Sequence, residues 1–458
     1  MFTEVMAETG AQVGSHLHLA HSRHARNEDV TPRGKDAARL DARLPRFVGL
    51  KVDAVKVLQR LKVALVGAGS VGYNIGLHLA RFAAVVWVVD RGRLKAESLL
   101  THPITPEQIG EPKATSLGRA IKRINPRTRV FVFDGPVEDL PLVAFADADL
   151  VVLATDNLRA ELEVGQRCLY LGKPLVHASL HGETMVVQCR VFSGRADGAC
   201  PFCNYTQAEL QALYRHTRFS CEGFAEGKAK AEDIQAPTLS ASWLCSLSAD
   251  LAMVEITRLV LGLGASVENT TTELCGYTHR TIVSRLVRNP ECKCEHTTYR
   301  QARLTRPLAG CTLRELTAAA GVRPAAGEGC LSFIMDRFAY AQLGTCGCAE
   351  ERLLERFVVP GEGVGQCSAC GRAVTGNPFY LHRPVPVSVV EAVLDRPLRD
   401  LGAGAARWAV VRGADKAVLL LEAEEKGPGA FSAKHPEGRS GKRLLDPFPP
   451  PRSWRHRK

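Results

Sequence analysis

Residues Leu61 to Asp90, LKVALVGAGSVGYNIGLHLARFAAVVWVVD, constrain the fold more than any other stretch of the chain. Val63 to Val66 is an apolar run of the length and character of a buried parallel strand. Gly67, Gly69 and Gly72 follow at G-x-G-x-x-G spacing, and Tyr73 to Phe82 then carries Ile75, Leu77, Leu79 and Phe82 in a helical stretch. A second apolar run, Val85 to Val89, ends in Asp90. Glycines at this spacing allow a tight turn, admit a phosphate close to the backbone and let the helix pack against the strand. The helix N-terminus offers free N–H groups and the positive end of its dipole to that phosphate. Asp90 stands where a carboxylate bonds ribose hydroxyls. Strand, turn, helix, strand and acid in this order predict a nucleotide-binding βαβ unit, without distinguishing NAD, FAD or ATP.

Further strands and helices extend the pattern. Lys113 opens a helix, KATSLGRAIKRI, that stops before Asn125-Pro126. Arg129 to Phe133 and Ala148 to Leu153 read as strands, the second running into Ala154-Thr155-Asp156-Asn157. A carboxylate at the end of a parallel strand lies in the crevice where α/β sheets bind ligands. Leu158 to Leu171 reads as a helix, and strands near Pro174 to Ser179 and Met185 to Phe192 complete a doubly wound, Rossmann-like α/β sheet. Arg215 to Ala236 is polar and glycine-containing, which predicts a mobile loop, and a long apolar helix follows it to Gly262. A smaller β-rich unit then has a short helix at Thr312 to Ala320 and strand character at Leu331 to Ala341 and Trp408 to Leu421. The expected division is a flexible arm over 1–40, a nucleotide-binding domain over 41–300, a zinc-ribbon unit over 301–425 and a disordered basic tail over 426–458.

Fifteen cysteines are many for a chain with no secretory signature at its start. Eight fall in close pairs: Cys200/Cys203, Cys292/Cys294, Cys346/Cys348 and Cys367/Cys370. In a reducing compartment such pairs mean metal before disulfide. Two tight turns can each deliver two ligands to a tetrahedral zinc ion. The expectation is two structural zinc sites, one from the first two pairs and one from the last two, with His296 able to replace a ligand in the first. Cys221 is different: it is unpaired, with Arg215, His216 and Arg218 just before it. Nearby positive charge favours a nucleophilic thiolate, although an inert surface cysteine fits the sequence equally well.

The formal charge of +11 is partly local, because Lys426 to Lys458 holds nine Lys/Arg against two Asp/Glu. Most basic tails are merely solvated, so a specific nucleic-acid role is not expected. No apolar run reaches membrane-spanning length. The expected location is the cytoplasm.

GAGSVG, Asp90, Thr101-His102, IGEPKA, INP, ATDN, CPFC and NPECKC occur in one order, and together they resemble the ThiF/MoeB-type ubiquitin-activating superfamily over roughly Arg43 to His296. The resemblance implies ATP as the nucleotide and adenylation of the C-terminal glycine of a ubiquitin-like or sulfur-carrier protein ending in Gly-Gly. It implies that Gly67, Gly69, Ser70 and Gly72 cradle phosphates, that Asp90 holds ribose, that Lys113 contacts phosphate and that Asp156 binds Mg2+. Arg46, or Arg43, resembles an arginine that reaches ATP from a neighbouring subunit, which implies a homodimer. Cys221 falls where members keep a sulfur-handling or thioester cysteine, and a conjugating enzyme is a possible further partner. The sequence departs from the family pattern at Ser98, Thr101 and Gly92, where members usually carry Asn, Arg and an acid. An NAD-dependent oxidoreductase shares the glycine turn but gives no reason for Lys113, Asp156 and the cysteine pairs. A catalytically inactive adaptor for a ubiquitin-like protein is the reading that the departures favour.

Overall fold

Continuous burial sets the first strand in place. The computed structural model describes residues 54–206, 240–322, 331–346, 348, 352–414 and 416–422. A short helix α1 (Ala54–Leu58) leads into β1 (Lys62–Val66), which is buried on both faces beyond Lys62. Helix α2 (Ser70–Leu79) returns the chain to β2 (Val85–Asp90), so the βαβ unit forms where the sequence predicts it. Then follow α3 (Lys113–Ile124), β3 (Arg129–Asp134), α4 (Val143–Asp147), β4 (Leu150–Leu153), α5 (Leu158–Leu171), β5 (Leu175–His181) and β6 (Val186–Phe192). Helix α5 has both of its ends specified. The Asn157 side chain accepts from the N–H groups of Arg159 and Ala160, at 2.9 and 3.2 Å, and Gly172 closes the other end at φ +66°.

Helix α6 (Ser242–Leu261), β7 (Thr270–Cys275) and β8 (Thr281–Arg285) complete a mixed sheet in the order β3-β2-β1-β4-β5-β6-β7-β8. The pairs from β3 to β5 are parallel; β6, β7 and β8 are antiparallel. The antiparallel end goes beyond the doubly wound sheet expected from the sequence. Residues 182–185 between β5 and β6 are too few for a crossover, so the chain must turn straight back. One core lies between the sheet and α2, α3 and α6, with Val63, Leu65, Ile75, Leu117 and Ile256 at its centre. The other face carries α4 and α5, with Phe145, Val164 and Phe192.

The C-terminal β-rich part begins with β9 (Arg300–Arg303) and α7 (Leu313–Ala320), the latter started by a reciprocal cap between Thr312 and Glu315. Strands β10 (Ser332–Met335), β11 (Ala339–Thr345), β12 (Arg352–Val358), β13 (Thr375–Gly376), β14 (Leu381–His382), β15 (Val385–Pro386), β16 (Trp408–Arg412) and β17 (Ala417–Leu421) form two further sheets. One runs β15-β10-β16-β17-β9, and the other joins β12, β11, β13 and β14. Ile334, Trp408, Val410, Leu419 and Leu421 share a core with α5. The Tyr170 ring meets those of Tyr299 and Trp408 edge-on, at 5.0 and 5.8 Å between centroids. No helix among the described residues is long and apolar enough to cross a membrane.

Candidate functional site

The strand order reverses direction between β1 and β4, and the chain leaves both strands at the same edge. Gly67 follows β1 at φ +96°, and a Cβ there would lie 2.5 Å from the Ala154 carbonyl oxygen. A Cβ on Gly72 would lie 1.9 Å from the Gly67 carbonyl oxygen. These two glycines are therefore required by packing. Gly69 precedes the first residue of α2, and its Cβ would meet nothing nearer than the Ala154 oxygen at 4.0 Å. That position faces open space beside the helix N-terminus, where backbone N–H groups lack helical partners. Ser70 begins α2, and its Oγ accepts a hydrogen bond from the Cys245 thiol of α6 at 3.1 Å.

Asp90 ends β2. Its Oδ2 accepts from the Ala68 N–H and its Oδ1 from the Gly92 N–H, each at 2.6 Å. The carboxylate thus fixes the glycine turn and its own loop together. The Lys113 N–H donates to the Gly92 carbonyl at 2.9 Å, which fixes the first residue of α3 against that loop. Asp156 lies just past β4 and is exposed; the Oγ of its neighbour Thr155 is buried without a hydrogen bond. Glycine turn, Asp90, Lys113 and Asp156 therefore gather at the C-terminal edge of the parallel strands. Arg46 (with its alternative Arg43) and Cys221 lie outside the described residues.

His102 also borders this edge, a position that the sequence marked only by its likeness to the family pattern. Burial, and then the Lys113 cation, push its pKa down to about 4, so its imidazole is neutral at physiological pH. Thr101 Oγ1 lies 3.0 Å from its Nδ1. Ser98 is buried and caps its own turn, accepting from the Lys95 N–H at 3.0 Å.

The cysteine pairs converge in two groups. Sulfurs of Cys200, Cys203 and Cys292 and a nitrogen of His296 lie within 4.8 Å of one another. Cys200 Sγ is 3.8 Å from Cys203 Sγ, 3.7 Å from Cys292 Sγ and 3.3 Å from His296 Nε2. Tetrahedral zinc with thiolates at its usual bond length sets sulfurs about 3.8 Å apart, so three thiols and an imidazole stand near metal-binding spacing. Cys294, one of the expected ligands, is buried in the same cluster, and its Sγ is directed to the Glu295 carbonyl at 3.9 Å. The structure thus gathers His296 into the four-donor group in place of Cys294. Pro201 of the first pair packs where Gly165 of α5 leaves room for it.

Cys346, Cys348, Cys367 and Cys370 form the second group. Cys348 and Cys367 are 3.7 Å apart, and the Cys346 and Cys348 sulfurs, at 2.7 Å, must separate by about 1 Å to reach the tetrahedral spacing. The Cys370 N–H, followed by the Cys346 thiol, holds Cys367 down to about 6, which favours the thiolate that a metal needs.

A glycine turn at the C-terminal edge of a parallel sheet, in a chain that also gathers two sets of soft ligands, defines a nucleotide-binding α/β protein with metal-binding capacity. The chain belongs to the ThiF family, whose model matches residues 42–296, more than half of its length. The sulfur carrier protein adenylyltransferase of Thermus thermophilus is 32% identical over 167 residues, which are 32% of this chain and 61% of that protein. The molybdopterin-synthase adenylyltransferase of Escherichia coli is 23% identical over 248 residues, 54% of this chain and 91% of that protein. A crystal structure of Escherichia coli MccB with ATP superposes with a TM-score of 0.42 at 14% identity, covering 53% of this chain and 68% of that one.

Proposed function

We propose that this chain uses ATP to adenylate the C-terminal carboxylate of a sulfur-carrier or ubiquitin-like protein ending in Gly-Gly. The observation that carries the reading is the gathering of the glycine turn, Asp90, Lys113 and Asp156 at one sheet edge, in a ThiF chain whose relatives are named as adenylyltransferases of such proteins. Family membership, rather than the glycine turn, selects ATP over NAD.

The carrier carboxylate oxygen attacks the α-phosphorus, a new P–O bond forms, and the bond to the departing pyrophosphate breaks. The chain has little covalent work in this step. The open side of Gly69 and the N-terminus of α2 receive phosphate, Asp90 takes the ribose hydroxyls, and Lys113 balances charge on the departing phosphates. Asp156 would hold Mg2+, which supplies further neutralisation of the phosphates when bound. Arg46 would add a cation from a partner subunit in a homodimer. Cys221, as a thiolate, would attack the acyl-adenylate carbonyl, form a thioester and release AMP. The two cysteine groups would hold structural zinc. We assign the chain to the cytoplasm and its parts as 1–40, 41–300, 301–425 and 426–458.

Intact-mass spectrometry of a candidate carrier incubated with the chain and ATP tests the reading. An AMP adduct that depends on the carrier's terminal glycine supports it. Carrier binding with no adduct, for every carrier that binds, moves the assignment to an inactive adaptor.

A further inference from the structure

Helices α2 and α6 run side by side in the same direction. Ser70, the first residue of α2, meets Cys245 in the first turn of α6, and His78, near the end of α2, lies 2.9 Å from Asp250 further along α6. Both N-termini therefore stand at the C-terminal edge of the parallel strands. Cys245 is the fourth residue of α6, so that helix begins about 4.5 Å further out at this edge than the contact. The contact joins a thiol to a hydroxyl. Cys245 is fully buried, and burial pushes its pKa up, so at neutral pH the sulfur keeps a proton to donate. Its bond, at 3.1 Å, is the one hydrogen bond of Ser70 Oγ among the described residues. A serine hydroxyl has one proton and two lone pairs. Accepting from the thiol occupies a lone pair and leaves the hydroxyl proton for another partner. Ser70 follows directly on Gly69, whose open side is the space assigned to phosphate. Phosphate oxygens are strong acceptors, so a phosphate there matches the sense of bonding that the thiol leaves to Ser70.

We propose that Cys245 is a positioning residue: its thiol, donating to Ser70 Oγ, ties the first turn of α6 to the start of α2 and directs the Ser70 hydroxyl proton to a phosphate oxygen of the nucleotide. Cys245 touches no reacting atom, and its full burial keeps it from serving as a nucleophile. The inference rests on the nucleotide reading above and adds a hydroxyl donor to the backbone N–H groups of the turn.

Two measurements on the full chain test it. The first needs no nucleotide: the infrared S–H stretch of Cys245, isolated as the difference between wild type and Cys245→Ala. A band at the lowered frequency of a donating thiol, which rises in Ser70→Ala, supports the bond. A free-thiol band in wild type, or a band that Ser70→Ala leaves unmoved, overturns the proposal and spares the nucleotide reading. The second is the dissociation constant for ATP in wild type, Ser70→Ala, Cys245→Ala and the Ser70→Ala/Cys245→Ala double variant. Ser70→Ala should weaken binding roughly 10- to 100-fold, as for a lost hydrogen bond to a charged group, and Cys245→Ala roughly 2- to 10-fold, as for a lost neutral one. The double variant should bind no more weakly than Ser70→Ala alone, because Cys245 acts only through Ser70. Wild-type affinity in either single variant, or losses that multiply in the double variant, overturn the proposal. Wild type that shows the donating S–H band yet binds no ATP refutes the nucleotide reading and, with it, the role assigned to the bond.

Discussion

Gly69 and Gly72 sit three residues apart in one turn, yet alanine should do opposite things at them. At Gly72 the new Cβ would be 1.9 Å from the Gly67 carbonyl oxygen, and contacts under 3.0 Å essentially never occur. The turn or α2 must therefore shift by about 1 Å, with a cost of roughly 1–3 kcal/mol for strained packing. In a domain of this size that lowers Tm by roughly 3–10 °C. At Gly69 the Cβ meets nothing nearer than 4.0 Å, and φ is −65°, which alanine adopts freely. Losing glycine as the residue preceding the helix costs roughly 0.5 kcal/mol, and the stiffer unfolded chain returns about the same. Gly69→Ala should therefore melt with wild type. Its methyl group, however, occupies the space assigned to phosphate, and ATP affinity should fall by roughly 10- to 100-fold, the worth of one hydrogen bond to a charged group. Differential scanning calorimetry with and without ATP separates the two effects. Equal destabilisation by both variants, or wild-type ATP affinity in Gly69→Ala, would refute the reasoning.

Three further outcomes follow from the geometry. Metal analysis should find two zinc ions per chain; Cys292→Ala or His296→Ala should lose one, whereas Cys294→Ser should retain both. Burial alone raises the Glu161 pKa, but His177, Arg190 and Tyr205 outweigh it and hold the carboxylate at about 2. Its folded value lies below its unfolded one, so its contribution is present above about pH 4.5 and is lost as pH falls towards 2. Glu161→Gln should therefore be less stable at pH 7 and lose less stability on acidification, as followed by urea unfolding across pH. Cys221→Ala should keep carrier adenylation and lose any thioester, read on non-reducing gels.

The parts of the molecule that local chemistry dictates were legible in the sequence. The glycine spacing, the apolar runs on either side and Asp90 specify β1, α2 and β2 because each acts on its neighbours. Helix α5 could be bounded to the residue, since Asn157 caps it and Gly172 stops it. Long-range pairings were not legible. β17 runs parallel to β9, and the sheet they share lends Trp408 and Leu421 to the α5 core; nothing local in Trp408 to Leu421 names that partner. Arg167 is another case: it lies buried on α5 because its guanidinium reaches the carbonyls of Leu140 and Glu138, at 2.9 and 2.8 Å. At Cys292-Lys293-Cys294-Glu295-His296, spacing admits either Cys294 or His296. The fold places the imidazole, not the second thiol, among the other three donors. Arg412 of β16 also grips this loop, bonding both Glu295 and Tyr299, a partner that only the C-terminal sheet could supply.

The central claim is that this site activates a carboxylate with ATP. ATP–pyrophosphate exchange, measured with a Gly-Gly-ending carrier protein in wild type and Asp156→Ala, tests it most directly. Exchange that requires the carrier and collapses in Asp156→Ala is the predicted result. Folded wild-type chain that binds the carrier and ATP yet exchanges no pyrophosphate would contradict it.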